Sequence, residues 1–293
     1  MTNTSYEVAA VHENDGTRFT SILPPPMGLL DGYDNRLPCS KQKIDVPEVF
    51  RHAMAVREEV YGQQGIPLEA EFDEDDARSW HWVVYASVST PKGSPTESSR
   101  KAHASAPKDP VEQAVARRPS ASRTPVGTIR LIPPPHGASK YRRDSTLDDM
   151  HTDKDPPSDS GNSKHPNEPY VKLGRLAVLK EYRAMGLGKL LINAALDYAT
   201  QHPDNIYLPP TTTIVELATL HGHNTELQYL MWQGLIMIHA QAGLQHMWEK
   251  MDFHEQLKNA QGEVEMEAEP HWMEEGIKHV GMWKRLNIVN ARL

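Results

Sequence analysis

The chain has 293 residues, of which 38% are apolar and 23 are proline, with a formal net charge of -8. That length allows one large domain or two small ones, and the apolar share is low for a chain folded throughout, which implies a globular core carrying polar inserts. The acidic balance disfavours wholesale binding to nucleic acid or to an anionic membrane, because both need a basic surface.

The opening stretch MTNTSYEVAAVHENDGTRFT has no apolar core of signal-peptide length, and no apolar run approaches the ~18 residues of a membrane span. Cys39, the single cysteine, has no partner for an internal disulfide and no motif around it in LPCSKQ, so it reads as structural. Cytoplasmic residence is the expectation, with the nucleus as an alternative.

In chain order, residues 1–45 read as an irregular lead-in with an initial strand near Tyr6 to Val11. DVPEVFRHAMAVREEVYGQQGIP reads as a helix. Val49, Ala53, Val56 and Val60 fall on one face, Asp45 is a candidate N-cap, Pro47 sits in the first turn, and Gly62 and Gly65 end it. WHWVVYASVS alternates, with Trp82, Val84, Ala86 and Val88 on one face, and reads as a strand.

Residues 90–124 are rich in Ser, Pro and Ala without an apolar period and read as a disordered or mobile insert. So do residues 136–168, whose cations are mixed with aspartates. Between them VGTIRLIPPP is a strand, so the first insert interrupts what would otherwise be a hairpin. YVKLGRLAVL is the next strand, buried on both faces by its composition.

After Gly188 comes an amphipathic helix, with Leu187, Leu190, Leu191, Ala194, Ala195 and Tyr198 at helical spacing. Residues 211–231 are ambiguous and read as partly helical. GLIMIHAQ is a short strand. AGLQHMWEKMDF returns to helix with Leu244, Met247, Trp248 and Met251 on one stripe, and EGIKHVGMWKRL closes as a strand. This order predicts an α/β or α+β layer fold with a mixed sheet, a single domain spanning 1–293.

The segment GRLAVLKEYRAMGLGKLL places a glycine turn between a strand and a helix N-terminus. Helix N-termini carry unpaired N–H groups and roughly half a positive charge, so the turn is suited to an anion, with Arg183 as an added cation. The bland alternative is a turn that only links strand to helix. The spacing is neither G-x-G-x-x-G nor a P-loop.

The order Arg183-Ala184-Met185-Gly186-Leu187-Gly188 resembles the acyl-CoA diphosphate loop of the GNAT superfamily of N-acyltransferases, Arg/Gln-x-x-Gly-x-Gly/Ala. VREEVYGQQGIPLEAEFDEDDARSWHWV, HAQAGLQHMWEKMDF and WMEEGIKHVGMWKR resemble the ElaA-like branch of that superfamily. The two polar segments then look like fungal-type loop inserts. The resemblance covers about half of the chain.

It implies a GNAT-type fold with a mostly antiparallel sheet splayed between two parallel strands. Acetyl-CoA would be the co-substrate, with no metal. The pantetheine arm would lie between Leu176–Ala177–Val178 and IMIHA of 236–240, with the diphosphate on Arg183 to Lys189. The amide near Val178 would polarise the thioester, and acetyl would pass directly to a primary amine.

His239 and His279 are the candidate bases, with a structural imidazole as the alternative for each; Glu181 beside the loop reads as surface. Glu71, Asp73, Asp75, Asp76, Glu274 and Glu275 are candidates for a carboxylate wall that attracts an ammonium, against the alternative of a solvated acidic loop. His221 and His223 form a weak metal pair.

Where many superfamily members have a tyrosine acid in the last helix, this chain has Trp248, and Asp252 stands where a glycine is usual. The function implied is N-acetylation of a small amine such as glucosamine. Protein, histone or peptide N-acetylation and non-catalytic acyl-CoA sensing are the alternatives, and a homodimer is compatible with any of them.

Overall fold

The computed structural model describes residues 18–88, 122–134, 136, 169–207 and 232–288. The strand expected near Tyr6, the ambiguous stretch 211–231, His221 and His223 lie outside the described residues. The two inserts do as well, apart from residues 122–124 and 136. Residues 122–124 belong to a strand.

Seven strands form one sheet. In chain order they are β1 (Arg18–Leu23), β2 (Trp80–Val88), β3 (Ser122–Ile132), β4 (Val171–Val178), β5 (Leu235–Gln241), β8 (Trp272–Glu274) and β9 (Ile277–Arg285). Their spatial order is β1-β2-β3-β4-β5-β9-β8. Every neighbouring pair is antiparallel except β4 and β5, which run parallel. The intervening β6 (Leu257–Lys258) and β7 (Val264–Met266) make a separate small hairpin.

Among the described residues four α-helices accompany them: α1 (Glu48–Gly62), α2 (Leu187–Gln201), the single-turn α3 (Pro203–Ile206) and α4 (Gln245–Glu249). The expected α/β fold with a mostly antiparallel sheet and one parallel pair is therefore present, the arrangement that the resemblance to the GNAT superfamily implies.

Both faces of the sheet are covered, which sets the inward pattern of each strand. On one face Leu191, Ile192, Ala195 and Ala199 of α2 pack on Trp82, Val84, Leu131, Leu173 and Ile238. On the other, Ala53 of α1 meets Val83 and Tyr85, while Val56 and Val60 meet Ala177. Gly127 leaves no room for a side chain under α2: a Cβ there would lie 3.0 Å from Val84 and 3.2 Å from both the Ala177 carbonyl and Leu191. Of the periodic stripe read for α1, Ala53, Val56 and Val60 are buried and Val49 is half-buried; Phe50, Met54 and, against expectation for a charged residue, Arg57 join the buried face.

Three local expectations change. The N-cap of α1 is Pro47 rather than Asp45, and no side chain caps it. The last helix is a 3-10 turn at Ala242–Leu244 followed by only five residues of α4, and Leu244 stays exposed. Strand β4 is not buried on both faces: Val171, Leu173 and Ala177 are buried while the rest are intermediate.

The last of these has a specific cause. Arg130 pairs with Gly174 and Thr128 with Ala177, so Ile129 faces two residues, Arg175 and Leu176. Arg175 takes a left-handed φ of 54°. This β-bulge inverts the inside-outside alternation. Before it Val171 and Leu173 point toward α2; after it Leu176 and Val178 do, and Ala177 turns to α1.

Candidate active site

The bulge also ends a strand pairing. β4 and β5 pair only at Val171–Ile236, Lys172–Met237 and Leu173–Ile238. Beyond that point both strands continue, to Val178 and Gln241, without pairing. Two parallel strands that part company leave backbone N–H and C=O groups facing each other across a wedge. A cavity of about 610 Å³ occupies that wedge.

At the α2 end of the cavity lies the glycine loop. Arg183 is extended, Ala184 has a φ of 61°, and Gly186, the N-cap of α2, has a φ of 78°. No side chain caps α2. Its first-turn amides and the left-handed positions before them form an anion-receiving concavity. A Cβ on Gly186 or Gly188 would meet nothing within 4 Å, so this surface is open to a ligand. Leu187 is buried and anchors the turn, while the Arg183 Nε donates to the Val178 carbonyl at 3.0 Å, tying the loop to the end of β4.

Of the residues expected to hold the coenzyme, Leu176, Ala177 and Val178 line the cavity, as do Arg183, Ala184, Gly186, Leu187, Gly188 and Lys189. Met185 does not, and points outward with 47% of its surface exposed.

Both candidate bases also line it. They sit on adjacent strands, His239 opposite Gly281 and His279 opposite Gln241, with the Trp272 indole beside both: edge-on to His239 at 4.8 Å and stacked on His279 at 5.8 Å. His279 also bonds the Ile277 carbonyl through Nδ1, at 3.0 Å. Glu71, Glu274 and Glu275 complete this side of the cavity. Glu274 accepts from the Trp272 Nε1 at 3.1 Å, which fixes the turn between β8 and β9.

The carboxylate wall needs correction. Asp73, Asp75 and Asp76 do not line the cavity. Asp76 is fully buried and pairs with Arg57 at 2.7 Å and Arg130 at 2.9 Å. Asp73 takes Arg130 at 2.6 Å and Arg175 at 3.0 Å, and Arg57 stands 3.8 Å from Glu71. Asp75 pairs with Arg78 at 2.7 Å near the surface.

Burial alone would raise the carboxyl pKa values of Asp73 and Asp76, but their arginines outweigh it and hold both low. Such carboxylates are spent on structure and cannot attract a substrate ammonium. Arg175 adds a bond to the Ala70 carbonyl at 3.1 Å. The ionic cluster therefore grips the bulge that opens the wedge.

His81 belongs to this cluster, with Nε2 at 2.9 Å from the Asp76 carbonyl, and burial pushes its pKa down to about 4. Burial acts likewise on His136, also down to about 4. A folded pKa below the unfolded value of about 6.5 means that the unfolded chain binds more protons between those limits. Stability is therefore full above pH 6.5 and falls by roughly 1.4 kcal/mol per pH unit per group toward pH 4. Chemical denaturation across that range is expected to show the slope, and His81→Gln to remove about half of it. An unchanged slope in the variant would mean that His81 is not the neutral buried group described.

Two features settle smaller points. Cys39 is buried, and its thiol is pushed up to about 11 by that burial, which fits a structural residue. Asp252 stands at a φ of 65°, the conformation a glycine would supply, directly before the fully buried Phe253. Trp248 is the residue that the resemblance sets at the tyrosine position. Its ring is buried against Phe253 at 5.2 Å and lines the cavity.

Sequence reading missed Tyr61, Gln64, Arg130 and Arg175, all on the lining. Gln64 accepts from Gln241 at 2.8 Å, joining the end of α1 to the end of β5.

Residues 121–218 match the family model described as the acetyltransferase (GNAT) family. That segment is about a third of the chain and contains β3, β4, the glycine loop and α2. Solved structures with a similar chain course include a putative N-acetyltransferase from Lactobacillus plantarum (18% identity, 80% of this chain and 89% of that chain, TM-score 0.37). Escherichia coli ElaA is another (15%, 85% and 96%, 0.34). Arabidopsis thaliana NAA60 in complex with a bisubstrate analogue is a third (12%, 92% and 99%, 0.34). Among curated proteins no relative matches.

Proposed function

We propose that this chain transfers acetyl from acetyl-CoA directly to a small primary amine, with a glucosamine-like amino sugar as the first candidate and the ElaA-like branch as its relation. The observation that carries this reading is a single cavity. It joins the uncapped α2 N-terminus, the unpaired edges of β4 and β5, two imidazoles and three carboxylates. The diphosphate would rest on the amides of 184–189. The arm would run along β4, with the amide near Val178 polarising the thioester carbonyl. His239 or His279 would take the amine proton, and Glu71, Glu274 and Glu275 would favour a cationic acceptor.

The alternatives are acetylation of a lysine or terminal amine in an extended peptide and a non-catalytic acyl-CoA sensor; the absence of a tyrosine at Trp248 favours the sensor. Acetyl-CoA at 100 times its Kd should stabilise the fold by about 2.7 kcal/mol under any of them. Release of free thiol with a panel of glucosamine, polyamines and lysine peptides separates them. Thiol release with a small amine supports the reading, release only with peptides moves it to the peptide class, and binding without release moves it to the sensor.

A further inference from the structure

We infer that Tyr61 is the acid that protonates the departing coenzyme thiolate, an assignment that rests on the acetyl-transfer reading above. Trp248 holds the position from which a tyrosine would act, and an indole N–H is not an acid in this pH range. The chain must supply the proton from elsewhere or let the thiolate leave unassisted.

Tyr61 lies in the last turn of α1, four residues after Arg57 and so on the same face of the helix. That face is fixed: Arg57 is 1% exposed and bound to Asp76 through both terminal nitrogens, at 2.7 and 3.2 Å. Val60, beside it, packs on Ala177 of the bulged strand.

The phenol thus reaches the part of β4 that has left β5. Its hydroxyl donates to the Leu176 carbonyl at 3.4 Å, a long bond that a better acceptor would displace. Leu176 is the second of the two bulge residues and also lines the wedge. If the diphosphate sits on 184–189 and the arm follows β4, the sulfur comes to this stretch. The other tyrosine on the lining, Tyr182, packs its ring against the main core beside the phosphate loop.

The amine nitrogen attacks the thioester carbon, and a histidine accepts one nitrogen proton. The C–S bond then breaks, with its electron pair going to sulfur. The Tyr61 O–H proton passes to that sulfur, giving free thiol and amide. The phenolate regains a proton from solvent, to which the histidine gives up its own. A phenol keeps its proton at neutral pH and is therefore available as the donor.

The test is Tyr61→Phe. With acetyl-CoA and an accepted amine, kcat should fall roughly 10- to 100-fold, the lower range of general-acid effects because a thiolate is a fair leaving group, while KM for acetyl-CoA changes less than about twofold. With S-(4-nitrophenyl) thioacetate as donor, whose thiolate needs no acid, the wild-type and variant rates should converge. Adding Trp248→Tyr to Tyr61→Phe should recover about tenfold.

An unchanged kcat in Tyr61→Phe, or an equal loss with the aryl thioester, overturns the assignment and leaves the acetyltransferase reading standing. A wild-type protein inert with every amine removes both.

Discussion

Asp76→Ala is expected to destabilise the fold by about 3–5 kcal/mol, a large part of the stability of a domain this size. The carboxylate is fully buried and shared by two guanidinium groups, each 1% exposed. Removing it leaves Arg57 and Arg130 with excess buried positive charge, and that uncompensated desolvation is the larger part of the loss. It also takes away the acceptor for the Asp73 backbone N–H at 3.0 Å, which holds Asp73 where it meets Arg175. The damage should therefore reach the bulge, and coenzyme affinity should fall in whatever folded fraction remains.

Asp75→Ala provides the contrast. Asp75 is about as close to Arg78 but a third exposed, and its loss should cost within about 1 kcal/mol. Urea unfolding of the two variants side by side checks this. Equal effects would mean that the buried cluster has the energetics of a surface one.

That contrast also shows how far the sequence could be read. Glu69 to Asp76 form a run of acidic residues, and in one dimension the run is ambiguous between a solvated loop, an ammonium trap and buried partners of distant arginines. The arginines that decide it come from α1, β3 and β4, and Arg130 and Arg175 are 57 and 102 residues from Asp73. Only the fold brings them together.

Arg57 was readable in principle, since it interrupts the apolar face of α1 beside Val56 and Val60. A charged residue on a helix nevertheless reads as exposed until a partner is known. The bulge was hidden for a related reason. A left-handed arginine in mid-strand leaves no compositional trace, so LGRLAVL reads as a continuous buried strand.

By contrast, the glycine loop was legible, because the requirement there is local. Gly186 supplies the left-handed turn and the helix follows at once, so six consecutive residues contain the whole device. The two histidines were legible as candidates through their place on the strands. Their shared contact with Trp272 was not, since it depends on the turn between β8 and β9.

Gly188→Val is expected to leave the fold intact and to weaken coenzyme binding at least 100-fold, or about 2.8 kcal/mol. Gly188 is the second residue of α2 and has an ordinary helical backbone, and a Cβ there meets no protein atom. A glycine in a helix costs up to about 1 kcal/mol relative to alanine, so valine should be near neutral for stability. The added methyls occupy only the space through which an anion reaches the first amides of α2.

This separates the site from the fold in a way that Gly186 cannot. Its φ of 78° makes any L-residue there strained by roughly 1–2 kcal/mol, so that a Gly186 variant loses stability and binding together. Calorimetric titration of Gly188→Val with coenzyme A, beside its melting curve without ligand, gives both quantities. A variant that melts like wild type and still binds with wild-type affinity would place the diphosphate away from α2. The wedge between β4 and β5 would then lose its claim to the thioester, because the length of the pantetheine arm ties the two positions together.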